Sequence, residues 1–258
     1  MHIIVNKNNT ATILFNKNTT AWGSFFYEPS KDALQVTVNT NEITHKEQLT
    51  FEFNEVTANT TIASLNWEKK QFPFKIEVDV PNIVLADIRQ KLQNEPGFNR
   101  QTWEQAASYV LNNGGDLEEA LGWINGTISG KFYSQQTFNN TNIKAAILNK
   151  LSKQDEAVAT LDSYMPKASI FEMHQYGRQL ISFGLKDIAL EVFKTNAKKH
   201  KDIWHVHYGL ARGYSAKGDF KNALKHLKKA LENAPNAASI GRVQANINSL
   251  EKGEDINE

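Results

Sequence analysis

The sequence has no cysteine. Disulfides, thiolate metal sites and cysteine nucleophiles are therefore excluded, and either a reducing or an oxidising compartment suits the chain. It also lacks a charge excess of either sign: 29 Lys and Arg balance 28 Asp and Glu, for a net charge of +1. Nothing in that balance points to nucleic acid or to a membrane surface. No apolar run is long enough to span a bilayer. The opening MHIIVNKN has no basic segment followed by an apolar one, so no signal peptide is read there. The HExxH, GxSxG and GxxxxGK patterns are missing too, and with them the helical zinc site, the nucleophile elbow and the phosphate loop. The expectation is a chain that is not an enzyme, with no catalytic constellation, no metal and no cofactor.

What is present is periodicity of two kinds. From Asp202 to Pro235 the pattern is helical. Leu210, Ala211 and Tyr214 mark one amphipathic helix. Gly218 breaks it, since glycine accepts the positive φ of a tight turn. Phe220, Ala223, Leu224, Leu227, Ala230 and Leu231 form the apolar stripe of a second helix, which Pro235 stops. Counted from Trp204, small residues fall at positions 8, 20 and 27 (Ala211, Ala223, Ala230), with Tyr214 at 11, Gly218 at 15 and Pro235 at 32. This layout resembles the tetratricopeptide repeat (TPR), a helical hairpin of 34 residues.

A single hairpin cannot bury its own apolar face, so repetition is the test. A turn residue followed by an acidic first turn and an alanine recurs four times: Gly115 to Ala120, Ser152 to Ala157, Gly184 to Ala189 and Gly218 to Ala223. Four hairpins over residues 98–235 are expected, the first two degenerate. A helix over 81–97, opened by Pro81, would link them to what precedes. A helix over 236–251, with Ile240, Val243, Ile247 and Leu250 on one stripe, would cover the last exposed face. The acidic tail 252–258 reads as disordered.

Residues 1–80 have period two instead. Leu34, Val36 and Val38 alternate with polar residues, as do Leu49, Phe51 and Phe53, then Ala63, Leu65 and Trp67, then Phe72 to Val80. That is the mark of strands with one buried and one wet face. Asn- and Pro-bearing turns separate them, giving about seven antiparallel strands in a sheet or sandwich. Pro73 suits an edge strand or a strand start. The fold class expected is α+β, with an antiparallel β domain followed by an all-α TPR-like superhelix.

Ile13 to Lys17, Trp22-Gly23, Tyr27, Pro29, Asp32, Leu34, Val36, Leu49 to Phe53, Leu65, Trp67-Glu68 and Pro73-Phe74 resemble the later half of the domain-of-unknown-function 2911 family. The family's domain usually begins earlier, whereas Met1 here falls inside it, so an unpaired sheet edge and self-association through it are expected. Relatives suggest a periplasmic or cell-envelope location if the N-terminus is incomplete. The family has no established activity, so the resemblance implies an architecture and no reaction.

Candidate sites follow from this layout. His205 and His207 are two apart on a helix and point apart, so with His200 they make a poor metal site. Glu118-Glu119 and Asp155-Glu156 suit the positive ends of helices. Glu77 and Asp79 share the wet face of a strand, and Trp22 follows a Thr-rich turn where a sugar could stack. Resemblance to tetratricopeptide arrays implies that the first helix of each hairpin lines a concave groove. Carried onto this chain, that places Asn139, Asn142, Ala146, Asn149 and Lys150, then Phe171, His174, Arg178, Ile181 and Ser182, then His205, Tyr208, Arg212, Ser215 and Ala216 along it. Arg178 and Arg212 would stack on adjacent turns, and paired guanidinium forks suit a carboxylate. The partner expected is a protein or peptide segment, held by His174, Arg178, His205, Tyr208 and Arg212. The alternative is a carbohydrate- or envelope-binding module that uses the β domain.

Overall fold

The structure, a computed structural model, describes residues 1–201 and 203–257. Asp202, where the periodic stretch opens, and Glu258, the last residue of the tail, lie outside the described residues. The chain divides into two compact units, Met1–Ala86 and Asp87–Glu258.

The first unit holds five strands: β1 (His2–Val5), β2 (Thr10–Asn16), β3 (Asp32–Asn39), β4 (Asn41–Asn54) and β5 (Thr60–Glu77). β1, β2 and β3 form one antiparallel sheet in that order, and β4 and β5 form a second. Ala11, Ile13, Leu14, Ala63 and Phe72 are buried, and the rings of Phe15 and Phe74 meet edge to face at 5.5 Å across the two sheets. Five strands stand where about seven were expected: Ala63 to Trp67 and Phe72 to Val80, read as two strands, fall in β5 and the start of α1, and the two ends of β5 meet through Val78 N–H to Asn59 C=O at 2.9 Å. Irregularities absorb the extra residues. The register of β4 against β5 jumps between Glu42 and Lys46 and again between Lys46 and Thr50, while Glu68 opposite takes a left-handed φ of 55°. Pro73 lies past Gln71, where the pairing of β5 with β4 ends.

The alternation does not mark a buried face everywhere. Leu49, Phe51, Phe53 and Trp67 are each half exposed or more. Two strands alone cannot cover both of their faces.

α1 (Val80–Leu92) spans the boundary between the units. Asp79 accepts the backbone N–H of Asn82 at 3.2 Å and its side-chain amide at 2.6 Å, so this carboxylate organises the helix start. Glu77 pairs with Lys75 at 2.6 Å. Four hairpins follow in the second unit: α2 (Arg100–Asn113) with α3 (Leu117–Ile128), α4 (Phe138–Lys150) with α5 (Gln154–Asp162), α6 (Ile170–Ser182) with α7 (Lys186–Lys199), and α8 (Trp204–Ala216) with α9 (Phe220–Glu232). α10 (Ala237–Glu251) packs on α9. α2 touches α4 and α6 touches α8, so first helices lie beside first helices, as in a TPR-like stack.

The turns explain the register. After α4, α6 and α8 the chain takes a left-handed step at Ser152 (φ 62°), Gly184 (φ 80°) and Gly218 (φ 76°). Each step makes the same pair of backbone bonds. For Gly218 these are Gly218 N–H to Ser215 C=O at 2.8 Å and Asp219 N–H to Tyr214 C=O at 2.9 Å. Acidic residues open α3, α5 and α7, where the helix dipole favours them. Lysines at the turns tie neighbouring hairpins: Lys153 to Glu118 at 2.9 Å, and Lys217 to Asp187.

Two apolar clusters fill the stack. One joins Ala145, Leu148, Ala157, Leu161, Tyr176, Leu180, Ala189 and Phe193 from α4 to α7. The other joins Tyr208, Ala211, Ala223, Leu227 and Ala230 to Val243, Ile247 and Leu250 of α10. Ile256, in the tail that the sequence alone reads as disordered, packs in this second cluster. Gly253 (φ 81°) reverses the chain after α10, again with the paired bonds Gly253 N–H to Leu250 C=O and Glu254 N–H to Ser249 C=O, both 3.0 Å. The next residues fold back onto α8.

Candidate functional site

The first helices present their polar residues on one side, where two cavities adjoin. One, of about 380 Å³, is lined by Phe171, His174, Gln175, Arg178, Trp204, His205, Tyr208, Arg212 and Arg242. The other, of about 410 Å³, is lined by Asn142, Gln175, Arg178, Gln179, Ile181, Ser182, Arg212 and Asn257. Gln175, Arg178 and Arg212 belong to both, so the two form one trough over α4, α6 and α8 with α10 at its end. All five residues read from the sequence (His174, Arg178, His205, Tyr208 and Arg212) line the first cavity. Gln175, Gln179, Arg242 and Asn257 lie outside the repeat positions used to find them.

The trough is built on close backbone approach. The ring of Phe193 on α7 lies against Gly177, Gly209 and Gly213, where an added Cβ would come within 2.4, 2.7 and 2.9 Å of it. Glycine at these three places lets α6 and α8 converge on one aromatic ring. His174 fits beside Gly209, where an added Cβ would stand 3.0 Å from its Nδ1, and stacks on Tyr208 with ring centroids 6.0 Å apart. Burial, with the charges of Arg212 and Arg178 added, pushes the His174 imidazole down to about 3, so it is neutral near pH 7. His205 is lowered by burial; its ring meets Phe171 edge-on at 4.5 Å and Trp204 at 3.9 Å.

Tyr208 is fixed from both ends: its hydroxyl accepts from Asn246 Nδ2 at 2.8 Å and from Arg212 Nη2 at 3.3 Å. The Arg212 guanidinium lies 5.1 Å from the Tyr208 ring centroid. Several buried polar atoms along the trough find no partner among the described residues: Asn142 Oδ1, His174 Nδ1, Gln179 Oε1 and Arg212 Nε. Unpaired buried groups of this kind cost free energy in the isolated chain.

Away from the basic end, Glu104 of α2 is buried and held by Arg100 at 3.0 Å and by Asn139 at 2.8 Å, beside a cavity of about 620 Å³ between α2 and α4. That cavity shares no lining residue with the trough. His207 faces away from it: its Nδ1 lies 3.3 Å from Nδ1 of His226, whose ring also stacks on Tyr214. Among the described residues no group of three or more His, Asp or Glu side chains is placed to hold a metal ion, and no helix is long and apolar enough to cross a membrane. In the first unit Trp22 is 86% exposed and stacks on Phe25 at 5.8 Å.

Among solved structures, the chain is similar to YrrB, described as a TPR protein with an unusual peptide-binding site (18% identity, 65% of this chain and 84% of that one, TM-score 0.40). It is also similar to TTC0263, a thermophilic TPR protein of Thermus thermophilus (17% identity, 67% and 91%, TM-score 0.42). A third is the C-terminal part of a TPR repeat-containing protein from Cytophaga hutchinsonii (15% identity, 67% and 70%, TM-score 0.45). No curated protein matches the chain. Residues 1–76 match the model of a family described as "Protein of unknown function (DUF2911)".

Proposed function

We propose that the helical unit is a non-enzymatic interaction scaffold whose trough holds an extended, acidic peptide or protein segment. A TPR-like stack of hairpins suits such a role, because it leaves one long concave side open. The observation that carries the reading is the meeting of Arg178, Arg212 and Arg242 in one trough. Guanidinium groups take carboxylates. The test is an array of acidic decapeptides probed with the intact chain. A subset should bind, and Arg178→Ala combined with Arg212→Ala should weaken those peptides by at least tenfold, the equivalent of one charge-assisted hydrogen bond of about 1.5 kcal/mol or more. Equal binding by the double variant, or no acidic peptide bound at all, contradicts the reading.

A second reading rests on Trp22 and Phe25, a stacked and exposed aromatic pair in the β unit that suits the face of a sugar ring. A glycan array read with the intact chain and with Trp22→Ala separates the two: loss of a bound glycan in the variant supports it, and no bound glycan removes it.

A further inference from the structure

The residues after α10 dock on α8 in the manner of a bound peptide. Ser215 Oγ donates to Asp255 Oδ1 at 2.7 Å and accepts the backbone N–H of Ile256 at 3.1 Å. Arg212 Nη1 donates to the Ile256 carbonyl and to Asn257 Oδ1, both at 3.1 Å. Asn257 Nδ2 returns a bond to the Arg212 carbonyl at 3.0 Å. The Ile256 side chain is buried in the cluster that includes Tyr208 and Ala211. Both backbone groups of Ile256 are thus taken by side chains of α8, and no helix or strand of the tail itself holds them. Asp255 Oδ1 also accepts from the Asn257 N–H at 3.1 Å and from its Nδ2 at 2.7 Å, so a segment with the same three side chains in the same turn would satisfy the same partners.

Position in the repeat makes the tail more than a cap. Arg212 and Ser215 stand where groove residues are expected in the fourth hairpin, and Arg178 and Ile181 are their counterparts in the third. Those counterparts line the open cavity, with Asn257 as part of its wall. The tail therefore occupies one end of the trough and points into the rest.

We propose that the trough recognises an acidic–aliphatic–carboxamide segment, and that Asp255-Ile256-Asn257 is an intramolecular copy of that ligand which a partner segment of the same chemistry displaces. This rests on the peptide-binding reading above and adds the ligand's pattern and its competitor.

The test uses the intact chain with Ile256→Asp, which places a charge in the apolar cluster and expels the tail. The probe is a fluorescent synthetic peptide of residues 254–258, Glu-Asp-Ile-Asn-Glu. The variant should bind it saturably and at least about tenfold more tightly than the unsubstituted chain, in which the tail leaves only a fraction of troughs open. Adding Ser215→Ala and Arg212→Ala to the variant should abolish binding, and a peptide with the isoleucine replaced by aspartate should not bind. A chain ending at Gly253 should behave like the Ile256→Asp variant. If either variant keeps its helical circular dichroism and ignores the peptide, or binds it no better than the unsubstituted chain does, the proposal is wrong. If both lose their helical signal, the tail is part of the fold, and the proposal is equally wrong. Acidic array peptides that bind the variant and the unsubstituted chain alike would leave the peptide-binding reading standing and remove only the role of the tail.

Discussion

Phe193 and its three glycines show how single residues set the geometry of the trough. Gly177→Ala would place a Cβ 2.4 Å from the Phe193 ring, and the ring is buried with nowhere to move. Gly177→Ala should destabilise the chain by about 1–3 kcal/mol, the range for overpacking, read by urea denaturation. Gly241→Ala, in α10 where an added Cβ meets nothing, is the control and should stabilise by up to about 1 kcal/mol through helix propensity. Ser152 is the reverse case: it holds the left-handed step that glycine takes in the next two hairpins. Ser152→Gly should stabilise by about 1 kcal/mol, because the left-handed conformation costs a side-chain-bearing residue about that much. His174 adds a pH dependence. Its native pKa of about 3 lies below the unfolded value near 6.5, so the unfolded chain binds the proton first. Its contribution is full above pH 6.5 and is lost as pH falls toward 3. His226, lowered to about 4 by burial and by His207, acts in the same direction. Stability followed by urea midpoint should fall between pH 6.5 and 4, and His174→Asn should flatten that slope by up to about 1.4 kcal/mol per pH unit. The small residue at Gly177 was legible, because the repeat calls for one there. Gly209 and Gly213 were not, since the ring they admit belongs to another helix.

Among the elements, hairpins were easier to read than strands. A helical hairpin carries its own punctuation: a left-handed turn residue, an acidic first turn and an alanine at fixed spacing all report local conformation. Strand count depends on pairing, which is not local. Ala63 to Trp67 and Phe72 to Val80, read as two strands, share β5 and the start of α1, and the two register jumps of β4 against β5 leave no compositional mark. The tail escaped for the same reason: its short polar sequence gains order only from Ser215 and Arg212, far off in the chain. Burial sorts the aromatics of these strands. Phe72→Ala should cost about 3–5 kcal/mol, the range for a core phenylalanine, because Phe72 is 7% exposed. Phe53→Ala, at a residue 64% exposed, should cost under about 1 kcal/mol in the same denaturation assay.

At the scale of the molecule, the trough exists because no hairpin hides its apolar face alone. Stacking aligns α4, α6 and α8, and their aligned polar residues make a site that no single repeat contains. Of the groove positions read from the repeat, Asn142, Phe171, His174, Arg178, Ile181, Ser182, His205, Tyr208 and Arg212 line the trough, while Asn139, Ala146, Asn149, Lys150, Ser215 and Ala216 do not. Arg242 and Asn257 line it and were not legible, as they come from α10 and the tail, which follow the last repeat. The most direct measurement is amide chemical-shift mapping of the intact chain as a bound acidic peptide from the array is added. Shifts should gather at Asn142, Arg178, Ser182 and Arg212 and leave Trp22 and Phe25 untouched. Shifts centred on Trp22 and the β unit, or on the outer helices α5, α7 and α9 with the trough unmoved, would contradict the account.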